Sequence, residues 1–240
     1  MPDGVASDGP DGGSEETSGH PDSERDVWWT VAVGTVGSIA KAGFSIRVTG
    51  QEHIPRRGGA LLAYNHVSVI DAIFVALPAL RRDRIIRCFA LSEDFERPMM
   101  GRALRALGQV PIRRGAGAWD PLEEMAGVIR QGWLGGIAPE GTVGTGEDLL
   151  PIQKGPARIA LLAGCPVIPV GLWGPQRRYP KAGLHFKGPV RPPLGVAFGP
   201  PIRAEGDPKH RPDVQALTDR LGEALREQVE IARGLAPGPV

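Results

Sequence analysis

Asparagine occurs once in these 240 residues and cysteine twice, and Lys+Arg exceed Asp+Glu by only one, 28 against 27. Each scarcity excludes something. Two cysteines, Cys88 and Cys165, are too few for a disulfide scaffold and have no CxxC spacing for a metal, so reduced thiols in a cytoplasmic setting are expected. A balance of +1 lacks the basic excess that phosphate neutralisation demands, which argues against a nucleic-acid partner. The most apolar stretch, Val27–Ala40, would span about 21 Å as a helix, short of the roughly 30 Å of hydrocarbon in a bilayer. With 41% hydrophobic and 23% charged residues, the chain is neither wholly disordered nor polytopic, and its length suits one domain.

The near-neutral total hides an asymmetry. Residues 1–26 hold eight acids and one base, a balance of −7, and the remainder holds 27 bases and 19 acids, or +8. The first 26 residues have almost no large apolar side chains and do not open with the basic-then-apolar order of a secretory signal; a disordered acidic tail is expected there. The basic remainder suits phosphate-bearing ligands or an anionic membrane surface, and equally a solvated surface in an Arg-rich chain.

Val27–Ala40, with its Trp28–Trp29 pair, reads either as a helix lying at a membrane interface or as a buried first helix. After it, strands are expected at Phe44–Thr49, Ala60–Tyr64, Ile85–Leu91, Val110–Ile112, Leu134–Ala138, Val167–Leu172, Leu184–Lys187 and Val196–Gly199. Helices are expected at Ile70–Leu80, Asp94–Leu107, Pro121–Gln131, Lys154–Ala163 (ended by Gly164) and Asp213–Arg233, with fraying from Gly234. Such alternation predicts an α/β domain over 27–233 with a mixed, largely parallel central sheet flanked by helices.

Asn65-His66-Val67-Ser68-Val69-Ile70-Asp71 follows directly on the buried strand Ala60–Tyr64, and a strand end opening into a helix is where α/β folds place their sites. Ser68 and Asp71 have the spacing of a capping box. His66 and Asp71 would diverge by about 140° on a continuous helix. They meet only if His66 lies in the preceding turn and Asp71 reaches back. A carboxylate on one ring nitrogen fixes the tautomer and leaves the other nitrogen to take a proton.

In these residues the chain resembles the PlsC-like glycerolipid acyltransferases, which include 1-acylglycerol-3-phosphate acyltransferases. Their NHxSxxD block is matched by Asn65, His66, Ser68 and Asp71. A GxxxIxR-like block is matched at Gly108–Arg114, with Arg114 at the arginine. The FPEGTRS block reads Ala138-Pro139-Glu140-Gly141-Thr142-Val143-Gly144, so PEGT is intact while the aromatic and the arginine are absent. Leu150–Gly155, with Lys154, looks like the segment that follows, and Cys165–Val170 like the VPIxPV strand.

The resemblance implies a glycerol-3-phosphate acyltransferase-like fold and direct acyl transfer from a thioester, acyl-CoA or acyl-carrier protein, to the hydroxyl of a lysophospholipid. It makes His66 the base, oriented by Asp71, and assigns Asn65, Ser68, Arg114, Glu140, Gly141, Thr142 and Lys154 to substrate. Guanidinium suits phosphate, and the Gly141 N–H is expected to face a phosphate or a developing oxyanion. No cofactor or metal is expected, and no acyl-enzyme, so Ser68 and Cys165 are not nucleophiles. Localisation is expected at the cytoplasmic face of the cell membrane, peripheral or monotopic, with residues 27–43 as the interfacial helix and the Met99/Met100/Leu104/Leu107 face as a second contact. Val143 departs from the motif arginine: either Arg113, Lys154 or Arg158 replaces it, or the acceptor carries a different head group. A catalytically silent membrane-surface module is the reading from outside the enzymes. A serine hydrolase lacks its GxSxG elbow, and no full GxGxxG or P-loop is present.

Overall fold

The computed structural model describes residues 27–112, 119–144, 148–180, 183, 185 and 188–238, with the backbone alone for 27–33 and 36. The expected acidic tail and Arg114 lie outside the described residues, as does most of the expected strand Leu184–Lys187. Seven strands form one sheet: β1 (Ser45–Thr49), β2 (Ala60–Tyr64), β3 (Ile86–Leu91), β4 (Val110–Ile112), β5 (Leu134–Ile137), β6 (Val167–Trp173) and β7 (Pro193–Phe198). Their order is β1-β7-β6-β2-β5-β3-β4. All neighbours are parallel except β6 and β7. The sheet is therefore mixed and largely parallel, as the alternation of elements predicts.

Period-two alternation sorts the sheet's side chains into two cores. Ala60, Leu62 and Tyr64 of β2, Ile168, Val170 and Leu172 of β6, and Leu194, Val196 and Phe198 of β7 pack on one face. They meet Ala40 of α1 (Val27–Gly43), Phe44, and Phe74, Val75 and Ala79 of α2 (Asp71–Leu80). Leu61 and Ala63 face the other way, into Leu122, Met125 and Ile129 of α5 (Trp119–Arg130), Ala157 and Ile159 of α6 (Gly155–Ala163), and Val214, Leu217 and Leu221 of α7 (Arg211–Leu235). Every residue of β2 and β6 is buried, which explains why they read as continuous apolar runs.

Two glycines set how closely α7 lies on the sheet. A Cβ at Gly171 would stand 2.0 Å from the Gln228 carbonyl oxygen, and one at Gly195 would stand 2.1 Å from that of Ala232. No other residue fits beneath the helix there.

The structure corrects the expected elements at two places. Asp94–Leu107 is not one helix but α3 (Ser92–Glu96) and α4 (Pro98–Ala106). Pro98 has no N–H to continue the first helix, and it holds Arg97 extended at φ −74°, ψ 126°. The chain does not fray at Gly234. The last helix runs to Leu235, and Ala236 is fully buried. Arg47 and Arg177 explain the ordering, because their guanidinium groups donate to the carbonyls of Leu235 and Ala236 at 3.1 and 2.9 Å.

Candidate functional site

The turn after β2 projects beyond the carboxyl end of the sheet, between the ends of β5 and β6. Asn65 fixes where it begins. Its Nδ2 donates to the Leu172 carbonyl at 3.0 Å, and its Oδ1 accepts the Leu172 N–H at 2.7 Å. One amide side chain thus continues the β2–β6 ladder by a further rung. Asn65 is buried and both its polar atoms serve the scaffold, so the structure places it beneath the site rather than on a substrate.

Asp71 is the first residue of α2 and is fully buried. Its Oδ2 accepts three N–H groups: His66 Nδ1 at 2.9 Å, the Val67 amide at 2.7 Å and the Ser68 amide at 2.8 Å. His66 lies in the turn and Asp71 reaches back, the one arrangement that lets residues five apart meet. The Ser68 contact is half of a capping box. The other half is not made: Ser68 Oγ donates to the Tyr179 carbonyl at 2.5 Å, and the N-cap of the helix is Ile70, two residues later than the box requires. Ser68 therefore ties the turn to the segment after β6.

Burial pushes the Asp71 carboxyl above its ordinary value, and the His66, Ser68 and Val67 N–H groups pull it back. Its Oδ1 is buried without a hydrogen-bond partner among the described residues, which adds to the cost of the charged form. With Oδ2 accepting from Nδ1, the neutral imidazole carries its proton there. No described group bonds its Nε2, and the side chain is one-quarter exposed, at 25%. The ring is anchored on one edge and open on the other.

The Pro139–Gly144 segment, entering from β5, wraps this histidine. Glu140 Oε2 lies 3.4 Å from the His66 amide, and the Gly144 N–H donates to the His66 carbonyl at 2.7 Å. Burial pushes Glu140 up to about 7, against the lowering effect of the His66 N–H. The Gly141 N–H donates to the Ala138 carbonyl at 3.3 Å, closing a turn with Gly141 at φ 69°. This corrects the expectation that it faces a phosphate or an oxyanion. Gly141 and Thr142 are exposed beside the site. Lys154 caps α6, and its side chain lines a separate cavity with Trp119, Arg158, Lys209 and Arg211.

On the opposite face of the sheet lies a cavity of about 600 Å³. Ala40, Phe44, Ile70, Ile73, Phe74 and Tyr179 line it, and Ile70 and Tyr179 connect it to the Ser68 turn. Sequence reasoning missed Tyr179 and Leu172 because both act through backbone atoms, which leave no side-chain signal. The Met99/Met100/Leu104/Leu107 face divides: Met99 and Met100 are exposed, whereas Leu107 packs on Ile85 and Trp133. Among the described residues no helix is long and apolar enough to cross a membrane, and no group of three or more His, Cys, Asp or Glu is placed to hold a metal ion.

Comparison with known proteins gives the family and the fold. The Acyltransferase family matches residues 45–173, more than half of the chain, from β1 to the end of β6. The chain belongs to that family. It is 32% identical over 167 residues to the 1-acyl-sn-glycerol-3-phosphate acyltransferase of Limnanthes douglasii, covering 68% of this chain and 56% of that one. It is 30% identical over 144 residues to the enzyme of the same name from Borreliella burgdorferi, covering 57% and 54%. The chain thus spans little more than half the length of these relatives. The solved 1-acyl-sn-glycerophosphate acyltransferase PlsC of Thermotoga maritima shares the fold, with a TM-score of 0.67 at 22% identity over 87% of this chain and 83% of that one.

Proposed function

We propose that the protein transfers a fatty acyl group from an acyl thioester to the hydroxyl of a lysoglycerophospholipid, with 1-acylglycerol-3-phosphate, as in its named relatives, the first acceptor to test. The observation that carries this reading is the 2.9 Å contact of His66 Nδ1 with Asp71, which leaves Nε2 open beyond the carboxyl end of β2. Nε2 accepts the acceptor's hydroxyl proton as its oxygen attacks the thioester carbonyl. The tetrahedral intermediate collapses, the C–S bond breaks, and the imidazolium returns its proton to the leaving thiolate. Asp71 holds the ring and offsets its transient charge. Burial raises the Cys165 thiol to about 11, which suits its exclusion as a nucleophile.

The cavity of about 600 Å³ is the place for an acyl chain, being lined mostly by apolar side chains and reaching Ile70 between His66 and Asp71. Ile39, Val69 and Val190 are exposed, Ile39 and Val190 at its mouth, and offer an apolar rim to a bilayer surface. Peripheral attachment to an anionic membrane follows, with α1 at the interface. The deciding experiment is an acceptor screen with labelled acyl-CoA and acyl-carrier-protein donors, comparing lysophosphatidate with other lysolipids. Transfer to lysophosphatidate establishes the reading. Transfer only to acceptors without a terminal phosphate reassigns the head group, as Val143 in place of the motif arginine allows. No transfer to any lysolipid refutes it.

A further inference from the structure

The apolar cavity and the His66 turn leave unused a second cavity, of about 390 Å³, on the opposite face of the sheet. Four cations line it: Lys154 and Arg158 from α6, Lys209 from the preceding loop, and Arg211 from the start of α7. No carboxylate lines it among the described residues. Asp213, two residues beyond Arg211, is committed to the His210 ring at 2.9 Å and the Asp207 N–H at 2.8 Å. Lys154 caps α6 and Arg211 opens α7, so two cations sit where helix dipoles already concentrate positive potential and favour an anion. The Arg158 Nε is buried without a hydrogen-bond partner among the described residues. Trp119 adds a flat face, 39% exposed, with the Arg158 guanidinium 5.2 Å from its ring.

The position is as informative as the charge. Lys154 follows Gln153, whose N–H bonds the Pro139 carbonyl at 2.7 Å and whose side chain lies against Gly141. The cavity is thereby tied to the segment that wraps His66. The basic cavity lies against α5, α6 and α7 and the apolar one against α1 and α2, on opposite faces of the sheet. A thioester whose carbonyl is held at His66 and whose acyl chain fills the apolar cavity leaves its head group outside that cavity.

We propose that this cavity binds the phosphorylated nucleotide of a coenzyme A thioester, with Trp119 against the purine and Lys154, Arg158, Lys209 and Arg211 on its phosphates. The proposal rests on the acyl-transfer reading and selects the coenzyme over the carrier protein as donor. An aromatic face favours a planar base over a bare phosphate, and several cations suit a ligand with phosphates at both ends of its ribose.

Titration calorimetry of the full chain with adenosine 3′,5′-bisphosphate tests the site without turnover. Binding is expected, weakened at least tenfold in Lys209→Ala/Arg211→Ala and in Trp119→Ala, with partial recovery in Trp119→Phe. In turnover, the double variant is expected to raise KM for acyl-CoA at least tenfold while kcat and the lysolipid KM hold. An acyl-pantetheine thioester, which lacks the nucleotide, is expected to be used equally well by both proteins. Bisphosphate affinity unchanged by the substitutions overturns the proposal. So does inorganic phosphate binding as tightly as the bisphosphate, or a loss confined to the lysolipid KM or to acyl-carrier-protein donors. Because calorimetry needs no acceptor, a failed acceptor screen and a failed nucleotide site are separate results.

Discussion

At the scale of the residue, the site separates holding from reacting. His66 has one ring nitrogen on Asp71 and one open, so His66→Ala is expected to lower the acyl-transfer rate by about 10²–10⁴-fold with the melting temperature little changed. Retained turnover overturns the assignment. Asn65 is different. Asn65→Ala leaves the buried Leu172 N–H and carbonyl without partners and is expected to cost about 2–3 kcal/mol, read from urea unfolding. Glu140 supplies a pH dependence. Its carboxyl is raised to about 7 in the fold from an ordinary 4.5, so between those values the folded state holds a proton the unfolded state has released. Its contribution to stability is complete below about 4.5 and falls away as the pH rises to 7. Glu140→Gln is expected to remove that decline, so that unfolding midpoints at pH 5 and pH 8 lie closer together than in the parent protein.

At the scale of the element, close approach matters more than propensity. Helix α7 lies against the sheet because Gly171 and Gly195 present no side chain to it. Gly171→Ala is expected to push the helix off β6 at a cost of about 3 kcal/mol, the upper end for an overpacked core, measured by denaturant unfolding. The same element shows how far a local signal reaches. Apolar spacing through Val214, Leu217, Leu221, Leu225 and Val229 marks the helix, and all five are buried. At its end the stripe shrinks to Ala232 and Ala236, which pack on Trp173 and Ala197, and two arginines distant in the chain, Arg47 and Arg177, hold the carbonyls of Leu235 and Ala236. Pro98 is the reverse case: the break it imposes between α3 and α4 is local, and the amphipathic pattern running across it obscures the break.

At the scale of the whole molecule, an apolar cavity and a basic one lie on opposite faces of one sheet, and His66 follows the carboxyl end of its interior strand β2. Ile39 and Val190, both exposed, rim the apolar cavity. Ile39→Glu with Val190→Glu is expected to reduce sedimentation with anionic vesicles while leaving the fold intact; an unchanged bound fraction refutes the membrane-facing rim. The +8 balance outside residues 1–26 adds attraction that salt screens, about 1 kcal/mol per cation near anionic lipid.

The α/β class, most of the strands and helices, and the NHxSxxD turn were legible in the sequence, because these depend on periodicity and on residues a few positions apart. Spacing alone does not pair Asp71 with His66; the strand–turn–helix setting does, because residues five apart meet there only if His66 lies in the turn and Asp71 reaches back. Tertiary structure alone decided the rest. It set Asn65 on the backbone of Leu172, turned the Ser68 hydroxyl to Tyr179, closed the Gly141 N–H into a turn, and gathered Trp119, Lys154, Lys209 and Arg211 around one cavity. Those contacts join residues up to 111 positions apart, as between Ser68 and Tyr179. Half of many of them are backbone atoms, identical in every amino acid, so no side-chain pattern records them.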